Sequence, residues 1–292
     1  MVFVALQESA DRGELILVRD GMLRYRVRKD GVLTIRLILG LAGIPHRQAS
    51  RRLECMGEGV VGIPQLIWCA DGNKSHSNLA IAAGWLYGAR LPAKGLADQP
   101  LYFADQDWKK PDREKYMKAV AKHRPAIATV LDWEREEQWP EVLDWAEECA
   151  QYVSESVIII PKVPGVLSCI PRTVGGRCVR LAYSVPTTYG GSPVPLWEFA
   201  GWPVHLLGGS PQAQRDCYRY LRGVASVDSI DGNMAKKMAT GRCCYWTRHT
   251  TRHGHWQPLS DDLEPFTGNG PNECVRRSLT NIASAWQEWM AA

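Results

Sequence analysis

Residues 126–134 read AIATVLDWE, a near-continuous apolar run that ends on an aspartate, a tryptophan and a glutamate. A strand with one wet face alternates apolar and polar residues; this one does not, so it predicts a strand buried on both faces, as in a parallel sheet. Upstream, Pro125 closes a helical segment that opens after Pro111. Downstream, QWPEVLDWAEECAQYV (138–153) sets Trp139, Val142, Leu143, Ala146, Cys149, Ala150 and Val153 on one helical stripe. The local unit is therefore helix, buried strand, helix.

The unit recurs. LYFADQDW (101–108), SVIIIPKVPG (156–165), VRLAYSVPT (179–187), WPVHLLGGSP (202–211) and VASVDSIDG (224–232) follow at intervals of roughly 25 residues, the length of a strand plus a crossover helix. SPQAQRDCYRYLRGV (210–224) supplies another such helix, with Ser210 as its cap, Pro211 in its first turn and an apolar stripe of Ala213, Cys217, Tyr220, Leu221 and Val224. With VVGIPQLIWCADG (60–72) the strands number seven, and ELILVRDG (14–21) and VLTIRLILG (32–40) compete to be the eighth. The pattern predicts an α/β fold, a (β/α)8 barrel, with a doubly wound open sheet as the alternative. Residues 1–55 read as strands and a hairpin leading into a barrel over 56–292, and SLTNIASAWQEWMAA predicts a C-terminal helix over 278–291 carrying Leu279, Ile282, Trp286 and Trp289.

Composition bounds the function classes. The chain has 292 residues, 45% of them hydrophobic and 23% charged, as in an ordinary globular protein. No segment has the roughly 20 apolar residues a bilayer span needs, so no membrane partner is expected. The start lacks a basic region followed by a long apolar stretch, and nine cysteines, an odd number, read as reduced thiols in a cytoplasm. Charge is segregated. Residues 1–52 carry ten Lys/Arg against five Asp/Glu, and 232–258 carry five Lys/Arg, three His and no acid. DWEREEQWPEVLDWAEE, by contrast, is acidic and reads as a solvated helix face. The basic segment 232–258, with Lys236, Lys237, Arg242, Arg248 and Arg252 and with Trp246 and Trp256 interleaved, is expected to hold a nucleic-acid backbone and to stack a displaced base.

In a (β/α)8 barrel, active sites form at the C-terminal strand ends. Those ends carry Asp71 to His76, Asp105, Asp132, Lys162, Tyr183 with Ser184, Gly208 with Gly209, and Asp228 with Asp231. Aspartate is common where a strand enters a loop, yet several converging on one mouth repel each other and resist desolvation, which a purely structural barrel has no use for. The chemistry that fits is displacement at a sugar carbon, in which one carboxylate attacks and another group manages the leaving-group proton. Metal-assisted hydrolysis competes, but only His76 and His205 stand near strand ends as ligands.

The order of these motifs resembles the tRNA-guanine transglycosylase superfamily, above all its phage and bacterial members that insert 7-deazaguanines into DNA. DGNKSH (71–76) looks like the family's Gly-Asn-Thr-Tyr-His segment, matching Gly72, Asn73 and His76. FADQDW (103–108) looks like Thr-Asp-Ser-Gly-Gly and places the acid/base aspartate on Asp105. VLDWE is similar to the Phe-Asp-Glu segment whose aspartate reads the base, here Asp132. VHLLGGSP (204–211) resembles Tyr-Leu-Met-Gly-Val-Gly, with Leu207 where a methionine covers the base, followed by Gly208 and Gly209. SVDSIDGN (226–233) looks like Val-Asp-Met-Phe-Asp-Cys, placing the nucleophile on Asp231 with Asp228 as its supporting neighbour. The resemblance spans roughly residues 60–245.

Departures stand beside these matches. No diglycine follows Asp105; Trp108 there is either a base-stacking residue or a core residue. Lys162 replaces a base-contacting glutamine and is expected near a nucleotide phosphate or an aspartate. The family's zinc signature of three close cysteines and a distant histidine is absent; Cys243, Cys244, His249, His253 and His255 form either a different zinc site or a metal-free basic loop, the reading preferred here.

What the resemblance implies is a transferase that exchanges guanine in DNA for a free 7-deazaguanine, such as 7-cyano-7-deazaguanine, through a covalent Asp231–sugar intermediate. It needs no redox cofactor and works in a bacterial or phage-infected host cytoplasm. The short chain favours DNA over tRNA as the partner, and the alternatives are a tRNA enzyme, an enzyme acting on nucleoside monomers, or a non-catalytic nucleic-acid-binding barrel. Oligomeric state is not legible.

Overall fold

The computed structural model describes residues 63–69, 74–188, 190–262 and 268–291, together with the backbone of two short strands at 15–17 and 23–25. The chain divides into two compact units, Met1–Glu58 and Gly59–Ala292. In the first, β1 (Leu15–Leu17) pairs antiparallel with β2 (Leu23–Tyr25).

The second unit is a closed barrel. Its strands are β3 (Gln65–Cys69), β4 (Leu86–Leu91), β5 (Phe103–Gln106), β6 (Ile127–Trp133), β7 (Ser156–Pro161), β9 (Arg177–Ser184), β10 (Pro203–Leu207) and β11 (Ser226–Gly232), with the two-residue β8 (Thr173–Val174) antiparallel on β9. All barrel pairings are parallel, and β11 returns to β3 through Ser229↔Gln65 and Asp231↔Ile67. This is the (β/α)8 architecture the recurring buried runs imply. Helices α1 (Lys74–Ala82), α2 (Arg113–His123), α3 (Trp139–Ala150) and α4 (Pro211–Leu221) follow β3, β5, β6 and β10, while α5 (Met234–Arg242) and α6 (Gly270–Ala291) follow β11. Between α5 and α6 stands an antiparallel hairpin, β12 (Cys244–Thr251) and β13 (Gly254–Pro258).

Two expectations about the eighth strand are corrected. ELILVRDG contributes β1, which pairs with β2 and not with the barrel, and VLTIRLILG lies outside the described residues. The missing strand is β4, LYGARL, between β3 and β5. Its glycine and arginine hide it as an apolar run, and it breaks the interval because no helix separates it from β5. Gly88 belongs there for a steric reason. A Cβ would come within 2.9 Å of Ile67 Cγ2 and 3.0 Å of Phe103 Cδ1, in the packed barrel interior. The C-terminal helix also starts earlier than expected, at Gly270, and in α4 it is Tyr218 that is buried while Tyr220 is exposed.

Helix starts follow their local chemistry. Asp112 caps α2 by accepting from Lys115 N at 3.1 Å, and Ser210 caps α4 by accepting from Ala213 N at 3.2 Å, with Pro211 at its first position. Every residue of β7 is buried. Alternation sends Ile158 and Ile160 inward, with Ile67, Phe103, Ile127 and Ala182, and sends Val157 and Ile159 outward to Val142, Trp145 and Ala146 of α3. Ile158→Ala is therefore expected to destabilise the fold by about 2–5 kcal/mol, since the closed barrel leaves few ways to collapse the void; urea unfolding of the variant checks it, and a loss under about 1 kcal/mol would contradict this packing.

Candidate active site

Strand alternation and two irregularities aim three aspartates into the barrel. Asp105 shares the inward face of β5 with Phe103. Asp231 is paired with Ile67 and shares the inward face of β11 with Ser229. On β6 the pairing to β7 shifts between Thr129 and Asp132, so that Thr129 matches Ile158 and Asp132 matches Ile160. That extra residue turns Asp132 inward. A second shift, between β10 and β11, matches Val204 with Val227 and His205 with Ser229, leaving Asp228 as the unpaired residue.

Asp105 feels the charges of the other two carboxyls. Burial pushes the Asp105 carboxyl well above the usual carboxylate range, the charge of Asp231 adds to the rise, and that of Asp132 adds further. The bond from Thr129 Oγ1 to Asp105 Oδ1, 3.0 Å, and the cation of Arg90 oppose it without reversing it. Asp132 is also raised, by burial first. Its Oδ1 accepts from Gln106 Nε2 at 3.2 Å, and Lys162 Nζ stands 3.9 Å from its Oδ2. Burial lowers the pKa of Lys162, whose ammonium donates to Ser184 Oγ. The sequence-based placement of Lys162 beside an aspartate thus finds its partner.

Asp231 is buried and held from three directions. Gly208 N–H donates to its Oδ1 at 2.8 Å, and Gln214 Nε2 ties its backbone oxygen (2.6 Å) to that of Gly208 (2.8 Å). Gly208 and Gly209 both have positive φ, +68° and +85°, and a Cβ on Gly209 would land on Val185. The diglycine thus folds the β10 loop back so that an amide faces the carboxylate. Beneath lies His205, fully buried, with Nε2 3.3 Å from Asp231 Oδ1, close but not aligned as a hydrogen bond. Arg180 Nη1 donates to Ser229 Oγ at 2.7 Å, and the same hydroxyl is hydrogen-bonded to His205 Nδ1 at 2.8 Å, which links the imidazole to Arg180. Asp228 stands 3.8 Å from Arg180 Nε and accepts from Ser226 Oγ, so it joins this chain through Arg180 and not by touching Asp231.

Sequence reasoning assigned no role to Thr129, Gln106, Ser229, Arg180 or Gln214, and weighed His205 only as a metal ligand. The inward parity of their strands could have found three of them, since His205 lies two before Leu207, Ser229 two before Asp231 and Arg180 four before Ser184.

The other expected residues scatter. Asn73 lies outside the described residues. Leu207 packs at the edge of the interior cluster. Trp108 is 53% exposed with Lys109 Nζ 5.2 Å from its ring centre, so it is a surface residue and not core. His76 is buried in the first turn of α1, where burial, then Lys236, lowers its pKa, and it hydrogen-bonds Asn272 of α6; it does not join the aspartates. Lys236, Lys237 and Arg242 lie on α5. Arg248 pairs with Glu288, sixteen residues along α6 from Asn272, or roughly 24 Å at 1.5 Å per residue. Arg252, in the hairpin turn, pairs with Asp261 at 2.8 Å. Trp246 corrects an expectation: it is fully buried, packed edge-on to Trp289 and stacked on His255, so it cannot receive a displaced base.

The alternative zinc set does not assemble. Cys243 Sγ lies 3.9 Å from Cys274, Cys244 bonds Arg242 O, His253 faces Asp261 and His255 faces Thr247 O. Among the described residues no three His, Cys, Asp or Glu side chains are grouped to hold a metal ion. No helix among them is long and apolar enough to cross a membrane.

Comparison with known proteins gives little chemistry. No curated protein matches the chain. Among solved structures, phosphoribosyl anthranilate isomerase from Thermococcus kodakaraensis is similar, with 11% identity over 75% of this chain and 99% of that one and a TM-score of 0.37. Residues 80–287, well over half of the chain, match the family described as a family of unknown function (DUF6610), and the chain belongs to that family.

Proposed function

We propose that the protein is a guanine transglycosylase that exchanges guanine in DNA for a free 7-deazaguanine. The observation that carries this reading is the meeting of Asp105, Asp132 and Asp231 on the inward face at one end of the barrel, with Asp105 raised by burial and by the other two. A carboxyl kept protonated beside a second carboxylate is the pairing that acid-assisted displacement at an anomeric carbon needs.

In this reading an oxygen of Asp231 attacks C1′ as the C1′–N9 bond breaks, and the departing guanine takes the proton of Asp105. A 7-deazaguanine then enters, gives its N9 proton to the Asp105 carboxylate and attacks C1′, breaking the bond to Asp231. Two displacements retain configuration. Gly208 N–H holds the Asp231 carboxylate, and Gln214 its backbone, in place for attack. Asp132, now engaged by Gln106 and Lys162, would turn to the donor edge of the guanine, and a base without that edge would leave a buried carboxylate unpaired. The target nucleoside must leave its stack to enter.

The test is incorporation of radiolabelled 7-cyano-7-deazaguanine into duplex DNA, with tRNA and free guanosine as parallel substrates. Label in DNA is expected. Label in tRNA alone would move the activity to RNA, exchange on guanosine alone would make it a monomer enzyme, and label in none would remove the transglycosylase reading.

A further inference from the structure

We infer that the cleft beside the aspartates, between the loop after β4 and the loop after β5, binds the phosphate of a nucleotide unit. The cleft encloses about 610 Å³, within the usual range for small-molecule sites. Four cations line it, Arg90, Lys94, Lys110 and Lys115, against two acids, Asp107 and Asp112. The acids are spoken for: Asp112 holds Lys115 at 2.7 Å, and Asp107 stands 3.8 Å from Arg90. Lys94 and Lys110 have no acidic partner among the described residues, so the cleft keeps an excess positive charge facing a concave space.

A second feature points independently to a ligand. Gln106 lines the same cleft and is 2% exposed, and its Oε1 has no hydrogen-bond partner although its Nε2 is fixed on Asp132. A buried acceptor left empty is destabilising unless a donor reaches it. The cations call for an anion and the amide oxygen for a hydroxyl or N–H. One molecule offering both is a phosphorylated sugar, as in a nucleotide. Leu91, Pro92 and Trp145 give it an apolar wall.

The location matters for the reaction proposed above, which this inference extends but does not need. Arg90 and Gln106 belong both to the cleft and to the surroundings of Asp105 and Asp132. A phosphate held here would sit next to the reacting sugar. The basic hairpin that sequence reading favoured for this task has its Arg248 engaged by Glu288, far along α6.

Calorimetric titration at low salt with inorganic phosphate, guanosine 5′-monophosphate and a single-stranded hexadeoxynucleotide tests it. Lys94→Glu with Lys110→Glu, both at exposed positions, is expected to weaken binding at least tenfold. Lys118→Glu with Lys122→Glu, the same change in net charge outside the cleft, is expected to change it less than threefold. Binding of the monophosphate assigns the site to free nucleotides; binding of the hexanucleotide alone assigns it to strand phosphates, and either supports the inference. No binding of any of the three, or equal loss in the two double variants, would overturn it. Binding is read without any base exchange, so failure of base exchange leaves this result standing.

Discussion

Asp231→Ala is expected to lower base exchange by more than about 10⁴-fold and to abolish any covalent protein–DNA adduct, because it removes the attacking carboxylate. The expectation follows from position. Asp231 is inward on β11, its backbone is clamped by Gln214, and its Oδ1 receives Gly208 N–H. Alanine removes the attacking atom while the clamp, which uses the main chain, stays. The fold should therefore survive, and circular dichroism of the variant should match the parent. Denaturing gel electrophoresis with labelled DNA, without free base, reads the adduct. A slower-moving band persisting in the alanine variant would transfer the nucleophile to another residue. Asp228, next in sequence, is a poor substitute, since the bulge sets it toward Arg180 and Ser226.

Asp105→Asn makes two opposite predictions from one cause. Burial and the neighbouring carboxylates hold the Asp105 proton at pH values where an ordinary aspartate has lost it. The parent's release of guanine should therefore fall as pH rises through that raised pKa. In the asparagine variant that limb should vanish and the rate drop by roughly 10²–10⁴-fold, the usual span of general acid catalysis. Stability should move the other way. Between the unfolded value, about 3.9, and the raised folded one, the native state holds a proton that the unfolded chain has released, so stability falls as pH rises across that window. Asparagine has no such penalty and still accepts from Thr129. Its melting temperature should match the parent's below about pH 4 and exceed it at neutral pH, by a margin that grows with pH. Melting scans from pH 3 to 8 decide this, and a variant less stable than the parent at pH 7 would show that Asp105 is not desolvated.

The barrel was legible because burial on two faces leaves a mark on most of its strands: SVIIIP and AIATVL have no wet side to encode. The strand that escaped, LYGARL, is the one whose composition serves the mouth, with Gly88 yielding space to Phe103 and Arg90 facing Asp105. Asp105, Asp132 and Asp231 could be named as strand-end carboxylates from their order along the chain. That they share one field depends on closure of the sheet and on a bulge in β6, neither of which a linear pattern records. The hairpin charge shows the converse. The five Lys/Arg of residues 232–258 are plain in the sequence, but whether a cation faces a ligand or an acid is settled only when distant segments meet, as Arg248 of the hairpin meets Glu288. Periodicity belongs to neighbours in the chain and so determined the fold; charge and proton affinity belong to neighbours in space, and only the tertiary structure decided those.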